Sequence, residues 1–525
     1  MEPKTPLSSA SLSSLTEIIG PFYFVGGYVR DLLMRRRSRR HHKGAIDIDI
    51  AVDSPMETVR ERLAKGFFSN REKMTLTFFW KGLTIDLVSL NGLTIDEELT
   101  RRDLTINSMG LSCQRVFDIL KEEPDWEGSI RPEDVIDPTG GWSDLRAKIL
   151  RCPREKNLTD DPVRLVRVFR FQGEFGFEIE DLTFQWIHRH APTVRLVAKE
   201  RVSRELEKLF SSPYVVKALR ELKKTRLFRE LFPLLTGPLD RRLEDRPYFG
   251  QSVFEHSLRV IAGCGSDPLL KWAGFFHDVG TRDGFSRVSS TDEETAPRDN
   301  YHPEERSVEL LLETAKDWGL PKRIVDPVEK IIRFHQVPVT SRSAIKEASM
   351  HFREPKAHNR FFRFVQADRC AADPLFLETD EGKAHKEIVK AVRRMMPKIS
   401  RCERFFSGKT LLALGLRPTP AFKVLIDHLM KKALELDFNL TERTAQELLE
   451  STLRFKERYE RLFFDNTEYR RKREYYIDGE VIGVLEEDVK MTVRTEVFLY
   501  RFEPEAMLPE ALRGKNPLLF FSLSS

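Results

Sequence analysis

The chain has 525 residues, with 87 Lys and Arg against 82 Asp and Glu, a formal net charge of +5 and 40% hydrophobic residues. That length gives several domains ample core, and so small a net charge excludes a global field as the source of nucleic-acid affinity, which must come from local patches. Five cysteines, at positions 113, 152, 264, 370 and 402, fall in no disulfide or metal spacing and suit a reducing cytoplasm, while no apolar run can span a membrane and the Ser/Thr-rich N-terminus lacks the regions of a signal peptide.

After an N-terminal segment, 1–19, strand-like alternation dominates about 20–120. The apolar stretch at 22–25 reads as a strand, Gly26-Gly27 as a turn, and Tyr28 onward as a helix through Met34. Glycines let a triphosphate approach the backbone, the helix N-terminus favours anions, and Arg30 would add a charge-assisted phosphate contact. An ordinary strand-to-helix turn has the same local signature. The basic run at 35–43 suits phosphate attraction, a solvated loop or a localisation signal.

Asp47 and Asp49 follow in the run Ile46-Asp47-Ile48-Asp49-Ile50. On a strand both carboxylates share one face while the isoleucines back the other. Such a pair suits Mg2+, which takes one or two carboxylates plus substrate phosphates. Asp86, in a second alternating strand, is either a third acid near the metal or a solvated edge residue. The connection after Leu90 is a short Asn91-Gly92 turn. In Arg101-Arg102-Asp103, the acid stands four residues before Asn107. On a helix, the two would share a face and hydrogen-bond a ribose hydroxyl. Asp103 as an N-cap is the alternative.

Helical periodicity dominates about 160–460. Asp160 or Asp161 suits an N-cap, and Pro162 the first helical position. Asp161 and Arg164, three apart, share a face. A carboxylate only accepts and a guanidinium only donates. Cytosine and adenine each present an amino donor beside a ring-nitrogen acceptor, whereas guanine and uracil present the reverse. An Asp/Arg pair therefore selects C and A against G and U without a nucleic-acid template. Arg164, Arg167 and Arg170 repeat at three-residue spacing opposite apolar Leu165, Val166 and Phe169, facing either RNA phosphates or solvent.

Taken in order, Gly26-Gly27-x-Val29-Arg30-Asp31, Asp47-x-Asp49, Arg101-Arg102-Asp103, Asp137-Pro138-Thr139-Gly140-Gly141, Asp161-Pro162-x-Arg164 and Glu200-Arg201-x-x-x-Glu205 resemble the motifs of the class II nucleotidyltransferases, the tRNA CCA-adding enzymes and bacterial poly(A) polymerases. The resemblance implies an α+β protein. A polymerase-β-like mixed sheet forms a head at 20–150, a helical nucleotide- and RNA-selecting neck follows at 151–240, and helices continue to 460. It implies transfer of CMP and AMP from CTP and ATP to a tRNA 3′ end, with Asp47, Asp49 and, on one reading, Asp86 holding Mg2+. Nucleotide contacts fall to Gly26, Gly27, Arg30, Arg102, Asp103, Asn107, Asp161, Arg164, Arg167 and Arg170. Position 160 departs from the family's usual Glu.

His256, His277-Asp278 and Asp368 stand in the order of an HD domain, placed at 249–375, with His302 and His335 as additional candidates for a transition metal. Thr281 replaces the lysine that often follows His-Asp-x-Gly, so metal retention is favoured over hydrolysis. The stretch near 237–248 reads as a linker and 283–300 as a mobile loop. A helical tail, 376–460, precedes an extension, 461–525, to which the sequence assigns no role; the oligomeric state is equally unassigned. Poly(A) polymerase signatures are absent near 70–82. Full CCA-adding relatives carry a longer flexible loop where this chain has Asn91-Gly92, so a CC-only enzyme is the principal alternative. An HD phosphohydrolase and a non-catalytic RNA binder are the others.

Overall fold

Alternation in the N-terminal region resolves into one six-stranded sheet, ordered β3-β4-β5-β2-β1-β6. The strands are β1 (Phe22–Val25), β2 (Ile46–Val52), β3 (Phe68–Asn70), β4 (Thr75–Trp80), β5 (Leu83–Ser89) and β6 (Gly110–Ser112). The computed structural model describes residues 7–34, 46–63, 68–70, 75–81, 83–123, 126–242, 251–281, 302–337, 341, 351–352, 354–413, 421–436, 438–453, 458–465, 470–477, 480–488 and 497–501. The basic run at 35–43 and the segment 283–300 lie outside them, as does half of the expected linker. The start of that linker is helical, over Thr236–Asp240.

Only β2 and β5 run parallel; the other pairs in this sheet are antiparallel. Ile48, Ile50, Ile85 and Leu87 are buried, whereas Asp49 is half-buried and Asp86 exposed. Period-two alternation thus carries Asp49 and Asp86 onto the face opposite buried Ile48, Ile50, Ile85 and Leu87, as the sequence predicts.

Helices then take over. Val163–Phe175 packs along Lys199–Ser211, and Gly173 lets them meet closely. A Cβ there would lie 3.1 Å from both Leu209 Cδ1 and Ser212 Cβ. A short parallel pair, β7 (Ile149–Leu150) with β8 (Glu178–Ile179), ties the head-to-neck crossing to the far end of the first helix. Among the described residues no helix is long and apolar enough to cross a membrane.

The chain divides into two compact units, 1–333 and 334–525. The second holds the helices Pro355–Ala372, Asp380–Phe405, Ala421–Glu435 and Glu442–Leu453. Its C-terminal part is a four-stranded antiparallel sheet, β11-β10-β9-β12, from β9 (Arg458–Asp465), β10 (Arg470–Ile477), β11 (Glu480–Asp488) and β12 (Val497–Arg501).

Candidate active site

Gly26 begins the site because no other residue fits there. Its φ of 72° and ψ of −134° suit glycine alone. A Cβ would also lie 2.5 Å from Arg102 Nη1 and 3.2 Å from Asp49 Oδ2. The turn therefore gathers Gly26, Asp49 and Arg102 at the start of the helix Gly27–Leu33. Asp49 stands opposite Asp86 in the parallel β2–β5 register, and Asp47 opposite Thr84. The backbone of Asp47 is described, but its side chain lies outside the described residues. Asp86 Oδ1 accepts a hydrogen bond from Thr77 Oγ1 at 2.5 Å, across from it on β4.

Burial pushes the Asp49 carboxyl above its ordinary range; Arg102 draws it back, and neighbouring Asp86 pushes it up again. Two carboxylates held side by side on rigid strands repel unless a cation stands between them. That crowding, with oxygen donors and a phosphate-compatible turn, fits a divalent ion such as Mg2+.

Arg30 departs from the expected phosphate contact. It is buried; Nη1 donates to Asn107 Oδ1 at 2.5 Å, and Nη2 donates to Asp31 Oδ1 at 2.8 Å. Its guanidinium lies 4.8 Å from the centre of the Phe175 ring. A desolvated guanidinium needs acceptors, and these hold it inward. Asp103 and Asn107 also differ from the expected helical face. Only Thr105–Asn107 is helical, as a single 3-10 turn with Leu104 at its cap. Asp103 Oδ1 instead accepts from Asn107 Nδ2 and the Leu104 N–H, both at 2.9 Å, while Arg167 pairs with Oδ2 at 3.0 Å. Burial raises the Asp103 carboxyl, but Arg167 and Asn107 outweigh it and hold it at about 2.

The segment expected from sequence to select the base also starts differently from its expected cap. Glu155–Asp160 is a separate short helix, Asp161 ends it, and Pro162 precedes Val163–Phe175 without a side-chain cap. Asp161 Oδ2 accepts from Arg201 Nη2 at 2.7 Å. Arg164 Nη1 donates to the carbonyls of Arg101 at 2.8 Å and Asn157 at 2.9 Å. Asn157 Nδ2 donates in turn to the carbonyls of Thr100 and Arg102, at 2.8 and 2.7 Å. The loop presenting Arg102 to Gly26 and Asp49 is thus bound directly to the segment carrying Asp161 and Arg164. Arg170 pairs with Glu174 at 2.8 Å and Glu205 at 3.1 Å and stacks 3.5 Å over Phe171, which makes it a brace between helices.

Sequence reasoning assigned no role to Asn157, Arg201 or Glu205. Arg201 and Glu205 stood in a quoted motif, so order along the chain flagged them without saying what they touch. Asn157 carried no signal, because its partners are backbone carbonyls far away in sequence.

In the first unit, His256 lies on Val253–Gly263, and His277-Asp278 follows Pro268–Phe276. All three are buried. Their donor atoms lie 3.2 Å (Nε2 to Nε2), 3.0 Å (His277 Nε2 to Asp278 Oδ2) and 3.5 Å (His256 Nε2 to Asp278 Oδ2) apart. Bonds of about 2.1 Å to a tetrahedral ion put ligand atoms roughly 3.4 Å apart, so this donor set fits a transition metal. The Gly274 carbonyl, 3.0 Å from His277 Nδ1, leaves Nε2 for the ion. His302 is exposed at the start of Pro303–Trp318, outside this group. Asp368, on Pro355–Ala372, and His335 are buried residues of the second unit.

Comparison with known proteins follows the same outline. The poly A polymerase head domain matches residues 22–91, and the probable RNA and SrmB-binding site of polymerase A matches residues 176–237. The CC-adding tRNA nucleotidyltransferase of Geobacter sulfurreducens is 34% identical over 327 residues, which cover 58% of this chain and 69% of that protein. The A-adding tRNA nucleotidyltransferase of Deinococcus radiodurans is 26% identical, over 62% of this chain and 72% of that protein. In fold, the Bacillus stearothermophilus CCA-adding enzyme in complex with CTP superposes with a TM-score of 0.54 at 23% identity, covering 86% of this chain and 98% of that one.

Proposed function

The chain belongs to the class II tRNA nucleotidyltransferase and poly(A) polymerase family, and from that premise we propose that it transfers CMP from CTP to the 3′ end of tRNA and stops before A. The observation that carries the C-only reading is the closed connection after Leu90. Asn91 and Gly92 both take positive φ, 50° and 82°, as a tight turn requires. The Leu90 N–H donates to the Val52 carbonyl at 2.8 Å, and Leu93 closes back on Leu90 at 3.0 Å. Thr94 and Glu97 then form a capping box that starts Ile95–Thr100. C and A present the same donor–acceptor edge, so admitting A after C requires the pocket to enlarge for a purine. A segment pinned at both ends lacks the slack to do so. The CC-adding name of the Geobacter relative supports the same reading.

Asp49, with Asp47 and Asp86, would hold Mg2+, which when bound neutralises triphosphate charge and favours ionisation of the attacking 3′-hydroxyl. The chain's own part is positioning. Gly26 and Gly27 admit the triphosphate to the backbone, and Arg102 places a cation beside Asp49. Asp161 accepts from the cytosine amino group while Arg164 donates toward its ring nitrogen. Uracil, with a carbonyl and an N–H in those places, leaves both unsatisfied.

Incubating the full chain with tRNA ending at its discriminator base, at C or at CC, with CTP and ATP, tests this. Two CMP additions and no AMP on tRNA-CC are expected. AMP added to tRNA-CC as fast as CMP to shorter substrates would make it a full CCA-adding enzyme. Absence of any CMP incorporation would overturn the reading altogether.

The His256, His277 and Asp278 group supports a second, separate proposal, that the first unit retains a transition metal at an HD-type site. Asp368 remains the fourth ligand expected from sequence.

A further inference from the structure

We infer that Asn157 is a positioning residue that keeps the two ends of the nucleotide site in register: its side chain fixes the main chain from which Arg102 reaches Asp49, and its carbonyl fixes Arg164. The inference rests on the proposed roles of Arg102 at the triphosphate and Arg164 at the base. The last carbonyls of a helix find no N–H within it. At the end of Ile95–Thr100, those of Glu98 and Leu99 are met by the N–H groups of Arg101 and Arg102, at 3.3 and 3.2 Å. The next three, on Thr100, Arg101 and Arg102, are met from 57, 63 and 55 positions away. Asn157 Nδ2 donates to the first and third at 2.8 and 2.7 Å, and Arg164 Nη1 to the second at 2.8 Å. Arg164 Nη1 also donates to the Asn157 carbonyl at 2.9 Å, which closes the set.

A carboxamide nitrogen carries two N–H groups, and both are spent here on carbonyls that can only accept, so neither a carboxylate nor an aliphatic side chain replaces it. Asn157 is 3% exposed, which keeps water from taking over its bonds. The short helix that carries it, Glu155–Asp160, is itself anchored. Leu158 is buried beneath it, and Glu155 pairs with Arg189 at 2.8 Å and His190 at 2.7 Å, at the end of Asp181–His190. Arg102 is the residue at stake. Its Nη1 lies 2.5 Å, and Asp49 Oδ2 3.2 Å, from the Cβ that Gly26 lacks. Without the carboxamide, two part-buried carbonyls turn toward water. The carbonyl of Arg102 cannot turn without turning the residue that carries the guanidinium, because the peptide unit is planar.

The test measures binding of inorganic pyrophosphate, with Mg2+, to the full chain by calorimetry. Pyrophosphate has no base, so it reports the phosphate end alone. The variants are Asn157→Ala, Asn157→Leu, which keeps the branched shape without its donors, Arg102→Ala, and each Asn157 change combined with Arg102→Ala. The Kd should rise at least about threefold in both Asn157 variants, a part of the tenfold that one charge-assisted hydrogen bond is worth. Neither change should raise it further once Arg102 is removed. A merely structural role lowers the amount bound, through loss of folded protein, and leaves the Kd at its wild-type value. That result would overturn the inference, as would the same rise with and without Arg102. If one Asn157 variant does not fold by circular dichroism, the other decides on the same terms; failure of both would make Asn157 a structural residue and overturn the inference. A wild type that binds no pyrophosphate would also overturn it. A wild type that binds pyrophosphate but adds no CMP to tRNA points to failure of the functional reading instead, so the two failures are separable.

Discussion

Asp103 shows how much one buried carboxylate does. It receives Asn107, the Leu104 N–H and Arg167, and Asn107 in turn receives Arg30. Its folded pKa, about 2, lies below the ordinary 3.8. A depressed acid stabilises the fold above its unfolded pKa, and that stability is lost as pH falls toward the folded value. On the order of 2 kcal/mol is at stake, between about pH 4 and pH 2. Asp103→Asn should therefore be less stable than wild type at neutral pH, and the gap should narrow on acidification. Urea unfolding across that range measures it, and a gap independent of pH would show that Asp103 is not the titrating group. Arg30 gives the complementary lesson. A cation three residues past a glycine turn reads as a phosphate ligand, yet the surrounding rings and the Asn107 oxygen draw it inward.

At the scale of elements, Val163–Phe175, which carries Arg164 of the proposed base-selecting pair, packs against Lys199–Ser211 with the separation set at Gly173. Gly173→Val adds bulk where a Cβ alone already reaches 3.1 Å contacts. Overpacking of this kind costs about 1–3 kcal/mol. The variant should unfold at lower denaturant and add CMP more slowly; unchanged stability would show that the helices separate freely. Strand alternation in β2 and β5 was legible because the period is two and one face is buried. The start of the selecting helix was not. Asp161 and Pro162 have the composition of an N-cap, but Glu155–Asp160 is already helical and leaves Asp161 as a junction. Propensity describes one helix end at a time and does not register two helices meeting.

On the scale of the whole molecule, the residues proposed for nucleotide transfer and those proposed for transition-metal retention form separate groups. His277→Ala should lose the transition metal, measured by elemental analysis of the purified protein, while CMP addition to tRNA persists. A variant that keeps its full metal content would remove His277 from the ligand set. Chelation followed by Mg2+ alone should restore CMP addition, because the head carboxylates offer only oxygen donors.

Residue order along the chain was enough to indicate the family, the α+β class and the alternation of β2, since motif chemistry and hydrophobic period are local properties. Tertiary structure alone decided which groups hold one another. Arg201 reaches Asp161 across 40 residues, Arg30 reaches Asn107 across 77, and Arg164 binds a carbonyl 63 positions away. Those pairings depend on packing that brings distant segments within hydrogen-bonding range. A one-dimensional pattern carries no distance between them.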